Sequence, residues 1–374
     1  MGLKWRVATQ QAEDLRTLKE GQYGSRVGRS AIEPVYIEEL QYEISRATRK
    51  PLLLTNYDAS SCYDWIIPNL GMIASQKYGV PAPITKATAE TLRLATYKVR
   101  TELGIAEHGY QHSTDCLVYG TGQGSTFSGQ TWNFVSSTAF DCYDEKATPA
   151  TYSNPSGTVN VTIGIAGFVD DCNGQTNKFE ADGTTDTANM ILTQAQENAQ
   201  IWTELLSATG GALEVSKCSC HVIQYKFTPQ GAPSIVPSFP DDNVKMRVWD
   251  PNDNTSHDLQ LLTAYQSHKT LGHYKEPAGH QMEQFRQLKC KSDEVTSFLW
   301  SCPLARSEAW TFYYACYLTS VSYPLACSAL THSELDTIQR KAMSITRAAK
   351  GRTNLCATFF NVPTTRVKNR VSSL

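Results

Sequence analysis

The sequence predicts an α+β protein, because strand-like and helix-like segments are mixed up to residue 250 and only helix-like segments follow. Short runs typical of strands occur at 51–58, 114–119, 159–169, 220–227 and 244–249. Longer segments with a helical pattern occur at 11–20, 32–48, 84–106, 130–143, 186–208, 278–300 and 305–350. The polar stretch 250–257 lies between the two regions and is the best candidate for a domain boundary.

Composition narrows the class of protein. The chain has 374 residues, of which 41% are hydrophobic and 19% are charged, and its formal net charge is −2. Such a chain can bury a large core in two or three domains, which argues against disorder, and it is not a uniformly basic nucleic-acid binder. After Ile338 there are eight basic residues and no acidic one. This basic end could contact a phosphate backbone, although an ordinary solvated surface would give the same pattern.

The cysteines and the apolar segments bear on the cellular location of the protein. The eleven cysteines are an odd number with no paired CxxC motifs, which favours reduced thiols inside a cell. Residues 1–9 lack the apolar core of a signal peptide. The uncharged stretch 310–330 is long enough to cross a bilayer, but its proline, serines, threonines and tyrosines favour buried helices. We therefore expect an intracellular protein, nuclear or cytoplasmic, without a membrane span.

Three carboxylates end predicted strands or turns. Asp58 follows an apolar run, and Asp170 and Asp171 lie at the tip of a predicted hairpin. Burying a carboxylate at the end of a strand is costly unless it is paired or binds a metal. If the two strands met, three carboxylates would suit two Mg²⁺ ions. Taken alone, the Asp170–Asp171 pair is more typical of ordinary turn chemistry than of a metal site.

Five segments resemble, in order, the motifs of reverse transcriptases. Residues 54–66 resemble motif A, strand-D-x-x-x-A-F-D-x-I, and Phe168–Asp171 matches the aromatic-x-D-D of motif C. The remaining matches are 22–30 to the fingers motif Q-x-G-F-R-x-G-R-S, 122–128 to motif B and 210–218 to motif D. Any one of these would be a weak signal, but five in the same order over residues 20–220 are specific. Residues 269–272 resemble more loosely the turn of a primer grip.

The fingers motif makes the chain most similar to enzymes of non-LTR retrotransposons and group II introns. The resemblance implies a right-hand polymerase, with partial fingers at 1–53, a palm with an antiparallel sheet at 54–250 and a helical thumb at 258–374. Gly122 and Gly129 replace prolines of motif B, and Ser25 replaces an aromatic residue of the fingers motif. None of these changes removes a predicted metal ligand. Since only about twenty residues precede the fingers motif, we expect part of a longer element-encoded protein or a decayed copy.

The resemblance also implies roles for single residues around the metal. Asp58 and Asp170 would bridge two Mg²⁺ ions, with Asp171 beside them. One ion would activate the primer 3′-hydroxyl, and the other would hold the triphosphate and stabilise the leaving pyrophosphate. Lys217 could protonate that pyrophosphate, or it could be only a solvated cation at the end of a helix.

Further roles concern the incoming nucleotide. Tyr63 would lie under the sugar and exclude a 2′-hydroxyl, which favours deoxynucleotides. Gln123 would contact the nucleotide, with Gly122 and Gly124 allowing close approach of the backbone. Two fingers-motif arginines, Arg26 and Arg29, would clamp triphosphate or template phosphates, since a guanidinium binds phosphate in a forked geometry. Arg29 could instead pair with a nearby carboxylate.

The implied function is RNA-directed DNA synthesis for a retroelement, with an RNA template, a DNA or RNA primer and dNTPs as partners. Two alternatives remain. An RNA-dependent RNA polymerase shares the palm, and residues 128–133 faintly resemble its motif B, but Tyr63 and the lack of glycine at Val169 argue against it. An inactive nucleic-acid-binding relic would keep the fold without turnover. The sequence predicts no oligomeric state.

Overall fold

A computed structural model describes residues 2–60, 62–113, 119–122, 124–177, 187–237, 245–301 and 306–348. The chain divides into two compact units, the first ending at Gln281 and the second beginning at Met282. Helices and a largely antiparallel sheet give an α+β protein, as predicted. The polar stretch 250–257 lies inside the first unit, where it forms the turn between two paired strands.

The first unit contains seven described α-helices and seventeen described strands. Its helices are α1 (Gly2–Asp14), α2 (Ile32–Thr48), α3 (Cys62–Trp65), α4 (Pro68–Lys77), α5 (Ala82–Leu94), α6 (Ser128–Lys146) and α7 (Thr187–Ala208), with a 3₁₀ turn at Val215–Lys217. Its strands are β1 (Leu52–Ser60), β2 (Thr96–Tyr97), β3 (Arg100–Thr101), β4 (Gly104–Ile105), β5 (Tyr110–Gln111), β6 (Ala150–Ser153), β7 (Asn160–Ile163), β8 (Ile165–Phe168), β9 (Asp171–Thr176), β10 (Ala212–Leu213), β11 (Ser219–Ile223), β12 (Tyr225–Phe227), β13 (Pro233–Ile235), β14 (Met246–Asp250), β15 (Thr255–Thr263), β16 (His268–Thr270) and β17 (His273–Lys275).

The main sheet has the strand order β14-β15-β11-β1-β9-β8, and β10 pairs with the end of β1. Every described neighbour pair is antiparallel except β11 with β15, which is parallel. The apolar run of β1 explains its central place, since its first six residues are all buried. The other strands are therefore arranged around β1.

The two faces of β1 have different surroundings because successive side chains of a strand point to opposite faces. One face, with Leu53 and Tyr57, packs against Phe140 of α6 and Trp202 of α7 in the largest core cluster. On the other face, Tyr42 of α2 packs in one cluster with the first leucines of the strand. Further along this second face the side chains change from apolar to polar, with Asn56 followed by Asp58.

Two of the predicted helices have different limits in the structure. The segment predicted at 84–106 is helical only to Leu94 and continues as the short strands β2 to β5. The first helix covers Gly2–Asp14 and not 11–20, because Trp5, Ala8 and Ala12 pack as one buried face at helical spacing. The strand predicted at 114–119 lies outside the described residues apart from its last residue.

The described part of the second unit is entirely helical. It comprises α8 (Met282–Ser301), α9 (Arg306–Phe312), a π-helical segment at Tyr313–Leu318, α10 (Thr319–Leu325) and α11 (His332–Ala348). Tyr317 and Val321 pack with Leu288 and Ile338 in its core. Among the described residues no helix is long and apolar enough to cross a membrane. The basic end beyond Ala348 lies outside the described residues.

Candidate active site

The three predicted metal-binding aspartates lie at one end of the main sheet. In the β1–β9 register Asp58 is directly opposite Asp171, so both side chains are on the same face. The amide of Ala59 donates a hydrogen bond of 3.3 Å to the carbonyl of Asp170. Residues more than a hundred positions apart in the sequence therefore meet at the tip of the β8–β9 hairpin.

The turn of that hairpin has a strained backbone. Val169 has a φ of +62°, which is unfavourable for a β-branched residue. Its carbonyl accepts a hydrogen bond of 2.6 Å from the indole N–H of Trp132 in α6. On the other side, a Cβ at Gly24 would lie only 2.5 Å from the amide nitrogen of Val169, so only glycine fits there. Helix α6 and the loop of the predicted fingers motif, residues 22–30 (the fingers loop), together hold the turn that carries Asp170.

Lys217, the candidate general acid, lies beside Asp58. The amide of Glu214 donates a 2.9 Å hydrogen bond to the carbonyl of Asp58, and a 3₁₀ turn then leads to Lys217. The Lys217 Nζ atom is 3.3 Å from the Asp58 Oδ1 atom. The hydrogen bond and the negative charge of Asp58 raise the pKa of Lys217 above its ordinary value, which further stabilises the ammonium form that a lysine has at neutral pH.

Negative charge is concentrated at this end of the sheet. Desolvation raises the pKa of Asp171 to about 6, and the charges of Asp170 and Asp58 add to the effect. Desolvation also raises the pKa of Asp58, an effect only partly opposed by the hydrogen bond and charge of Lys217. A cation bound between such carboxylates would stabilise their ionised form, so this end of the sheet is a favourable place for a cation.

This shift predicts a pH dependence of folding. In the unfolded chain Asp171 should titrate near 3.8, whereas in the folded chain its pKa is about 6. Between these values the folded chain binds a proton that the unfolded chain does not, so the contribution of Asp171 to stability falls as pH rises through this window. Without metal, wild type should therefore gain more thermal stability than Asp171→Asn when pH is lowered from 7 to 5. Equal gains would contradict the shift, and Asp64→Asn, which changes an exposed carboxylate, is the control.

An open cleft of about 300 Å³ adjoins the aspartates. Its lining residues are Asn56, Tyr57, Asp58, Asp171, Cys172, Ser216, Lys217, Gln260, His268, Lys269 and Thr270. One wall is thus the first strand of the β16–β17 hairpin, whose turn contains Leu271 and Gly272, both with positive φ. The loosely predicted primer-grip segment forms part of this hairpin, and its exposed Lys269 adds a positive charge to the lining of the cleft.

The predicted nucleotide-binding loop packs against the turn that follows β1. The amide of Thr121 donates a 2.8 Å hydrogen bond to the carbonyl of Tyr63. Gly122 and Gly124 have φ values of +72° and +82°, a conformation that favours glycine. The half-buried ring of Tyr63 makes an edge contact with Trp132, and desolvation raises its pKa to about 12. Gln123 lies outside the described residues.

The fingers loop is fixed on the same hairpin and helix. The amide of Tyr23 donates to the carbonyl of Gly167 at 2.8 Å. Ser25 has a positive φ, and its carbonyl accepts a 3.0 Å hydrogen bond from the side chain of Asn133. Trp132 and Asn133 were not predicted to support the site, although both lie in residues 128–133, the segment that faintly resembles motif B of RNA-dependent RNA polymerases.

The two predicted phosphate-binding arginines are both engaged within the protein. The Arg26 side chain is only 3% exposed, and it forms a two-pronged ion pair with Glu13 at 2.7 and 2.5 Å. These contacts engage the guanidinium within the protein, which favours a structural role for Arg26 over the predicted phosphate clamp. Arg29 is 30% exposed and pairs with Glu20 and Glu33, which is the alternative considered from the sequence.

A further acidic group lies at the β14–β15 turn. Within the described residues, the one group of three or more side chains whose potential ligand atoms all lie within 4.8 Å is Asp250, Asp253 and His257. Asp253 accepts hydrogen bonds from Thr255 and His257, which is ordinary turn chemistry. The three predicted aspartates are less tightly grouped, so their side chains would have to close around a cation.

No protein-family model matches the chain, and no curated protein matches it. Three similar solved structures are telomerases. Apo telomerase from Candida tropicalis, truncated from the C-terminal domain, is 12% identical over 65% of this chain and 41% of its own, with a TM-score of 0.37. Telomerase from Candida albicans with a TWJ fragment of telomeric RNA is 12% identical over 92% and 50%, with a TM-score of 0.37. The corresponding Candida tropicalis complex is 10% identical over 99% and 56%, with a TM-score of 0.39. The chain thus spans about half the length of these structures.

Proposed function

We propose that the chain is an RNA-directed DNA polymerase of a retroelement, which adds dNTPs to a primer 3′-hydroxyl. The observation that carries this proposal is the meeting of Asp58, Asp171 and Lys217, with Asp58 opposite Asp171 and 3.3 Å from the ammonium group of Lys217. These residues come from the segments that resemble motifs A, C and D. A carboxylate pair with only a structural role would not require residues of three such motifs to lie together. The assignment to a retroelement of the non-LTR or group II type rests on the sequence motifs.

The donor set fits magnesium. Asp58, Asp170 and Asp171 offer hard carboxylate oxygens. Desolvation, together with the charges of Asp170 and Asp58, raises the pKa of Asp171, and a bound cation would favour its ionised form. These three residues would hold two Mg²⁺ ions. When bound, the ions would lower the pKa of the primer hydroxyl and neutralise charge on the triphosphate.

Lys217 supplies the proton in this proposal. It is an exposed ammonium group that pairs with Asp58, and it lines the same cleft as Asp58 and Asp171. The leaving pyrophosphate gains negative charge as its bond to the nucleotide breaks, and a nearby ammonium group stabilises that charge and can donate a proton. Lys217 thus compensates the negative charge of Asp58 in the free enzyme and that of the pyrophosphate during the reaction.

The remaining substrate contacts are assigned by position. Tyr63 follows the strand that carries Asp58 and would meet the sugar, while Gly122, Gln123 and Gly124 would approach the base and phosphates. The exposed Lys269 on the cleft wall would face the RNA template and its primer. The sequence predicts fingers at 1–53, a palm at 54–250 and a thumb at 258–374. Because β15 to β17 are strands of the first unit, the helical thumb of this scheme begins at Met282.

Primer extension tests the proposal. The purified chain is incubated with Mg²⁺ and poly(rA)/oligo(dT), and incorporation of dTTP is compared with incorporation of UTP. Extension by dTTP that is lost in Asp170→Ala supports a reverse transcriptase. Extension by UTP would favour the RNA polymerase. Binding of the hybrid without any extension by the folded protein would identify a relic.

Sugar selection gives a separate prediction. Replacing Tyr63 by alanine should raise UTP incorporation relative to dTTP by about tenfold or more, because the ring would no longer exclude the 2′-hydroxyl. The two kcat/KM values are measured for wild type, Tyr63→Ala and Tyr63→Phe. Phenylalanine keeps the ring and should keep the selectivity. If Tyr63→Ala discriminates as well as wild type does, Tyr63 has no part in sugar selection.

A further inference from the structure

The β16–β17 hairpin has one buried face and one exposed face. Pairing of His268 with Lys275 and of Thr270 with His273 places these four side chains on the same face. His273 and Lys275 are buried, at 0% and 1% exposure, whereas Lys269 is exposed on the opposite face. The buried face fixes the hairpin, and the exposed face carries a cation beside the cleft.

The buried face is held by an ion pair with helix α2. Lys275 pairs with the Oε2 atom of Glu38, and each side chain is only 1% exposed. The hydroxyl of Tyr42 donates a 3.1 Å hydrogen bond to the Oε1 atom of the same carboxylate. Charges buried to this extent require a partner in a narrow range of positions. The pair therefore fixes where the base of the hairpin can lie on α2.

Helix α2 is in turn tied to the strand that begins with Asp171. The Gln41 side chain donates a 2.6 Å hydrogen bond to Gln175 of β9. Gln175 donates to Asn173, two residues from Asp171, at 2.9 Å. All three amide side chains are buried, so these contacts are shielded from water. The hairpin and the aspartates thus share one support, helix α2.

The other end of the hairpin faces β1. The hydroxyl of Thr270 lies 3.5 Å from the side-chain oxygen of Asn56, two residues before Asp58. We propose that Glu38 and Lys275 are positioning residues that set the distance between this cleft wall and the aspartates, and so the affinity for an RNA–DNA template–primer. This inference rests on the proposed function of the cleft.

Binding of a fluorescein-labelled poly(rA)/oligo(dT) hybrid tests the inference without turnover. In Lys275→Met the Kd should rise about tenfold, because a displaced wall weakens every contact made from it. In steady state the KM for template–primer should rise equally, while kcat and the KM for dTTP change less than about twofold. Lys245→Met, which breaks an exposed pair with Asp258, is the matched control and should leave the Kd unchanged.

A second variant separates positioning from folding. Lys275→Met leaves Glu38 charged and buried, so it will also lower the melting temperature. In Glu38→Gln/Lys275→Met no unpaired charge remains, so the melting temperature should recover while the Kd stays raised. Recovery of both, or a normal Kd in folded Lys275→Met, would overturn the inference. If the wild-type chain binds the hybrid but does not extend it, the polymerase proposal fails and the binding comparison still decides the role of the pair.

Discussion

Replacing Asp58 by asparagine should lower the rate of dTTP incorporation by about a thousandfold or more, and Asp170→Asn should do the same. Both changes keep the shape of the side chain but remove a charged oxygen that the metal ions require. An amide oxygen is a weaker ligand for Mg²⁺ and does not neutralise it. The measurement is single-turnover extension on poly(rA)/oligo(dT), which separates chemistry from binding and product release.

Loss of folding would not explain such a result. Burial already disfavours the charge of Asp58, so the asparagine variant should melt within a few degrees of wild type. Asp64→Asn is the matched control, because Asp64 lies in the same motif but is exposed and outside the lining of the cleft. Activity of Asp58→Asn within about tenfold of wild type would remove Asp58 from the reaction and with it the two-metal proposal.

Much of the sheet and of the candidate site could be predicted because the decisive signals are local. The apolar run before Asp58 predicted a buried strand, and the structure has β1 over Leu52–Ser60. The carboxylates of Asp170 and Asp171 were expected at a hairpin tip, which the β8–β9 turn confirms. The meeting of these segments with Lys217 required the family resemblance, since no local pattern specifies which strands pair.

The parts that could not be predicted depend on partners distant in the sequence. Arg26 has the residue type and the motif position of a phosphate-binding side chain, but it forms an ion pair with Glu13 of α1. The buried Lys275 gives no sign in the sequence of its pairing with Glu38, 237 positions away. Whether a side chain contacts water, a ligand or the protein depends on which groups the fold places near it. The local sequence does not specify those groups.

Arg26→Met should lower the free energy of unfolding of the first unit by about 3 kcal/mol, a large fraction of the stability of a typical domain. The guanidinium binds both carboxylate oxygens of Glu13 and also donates to the carbonyls of Lys19 and Gln22 at 2.8 Å each. Methionine fills the space but leaves the partly buried carboxylate of Glu13 and the carbonyl of Gln22 without the guanidinium donor, while the carbonyl of Lys19 keeps the amide of Gln22. Arg26→Lys should recover little, because an ammonium group cannot reproduce the two-pronged contact.

The comparison that decides the role of Arg26 is between stability and substrate binding. A structural arginine predicts a lower melting temperature and a normal KM for dTTP in the molecules that remain folded. A phosphate clamp predicts the opposite, a normal melting temperature and a KM raised about tenfold or more. Arg29→Met is the matched control, since its ion pairs are more exposed and should cost less than about 1 kcal/mol. Because the fingers loop supports the turn of Val169, unfolding around Arg26 should also release Asp170 and abolish extension at temperatures where wild type is active.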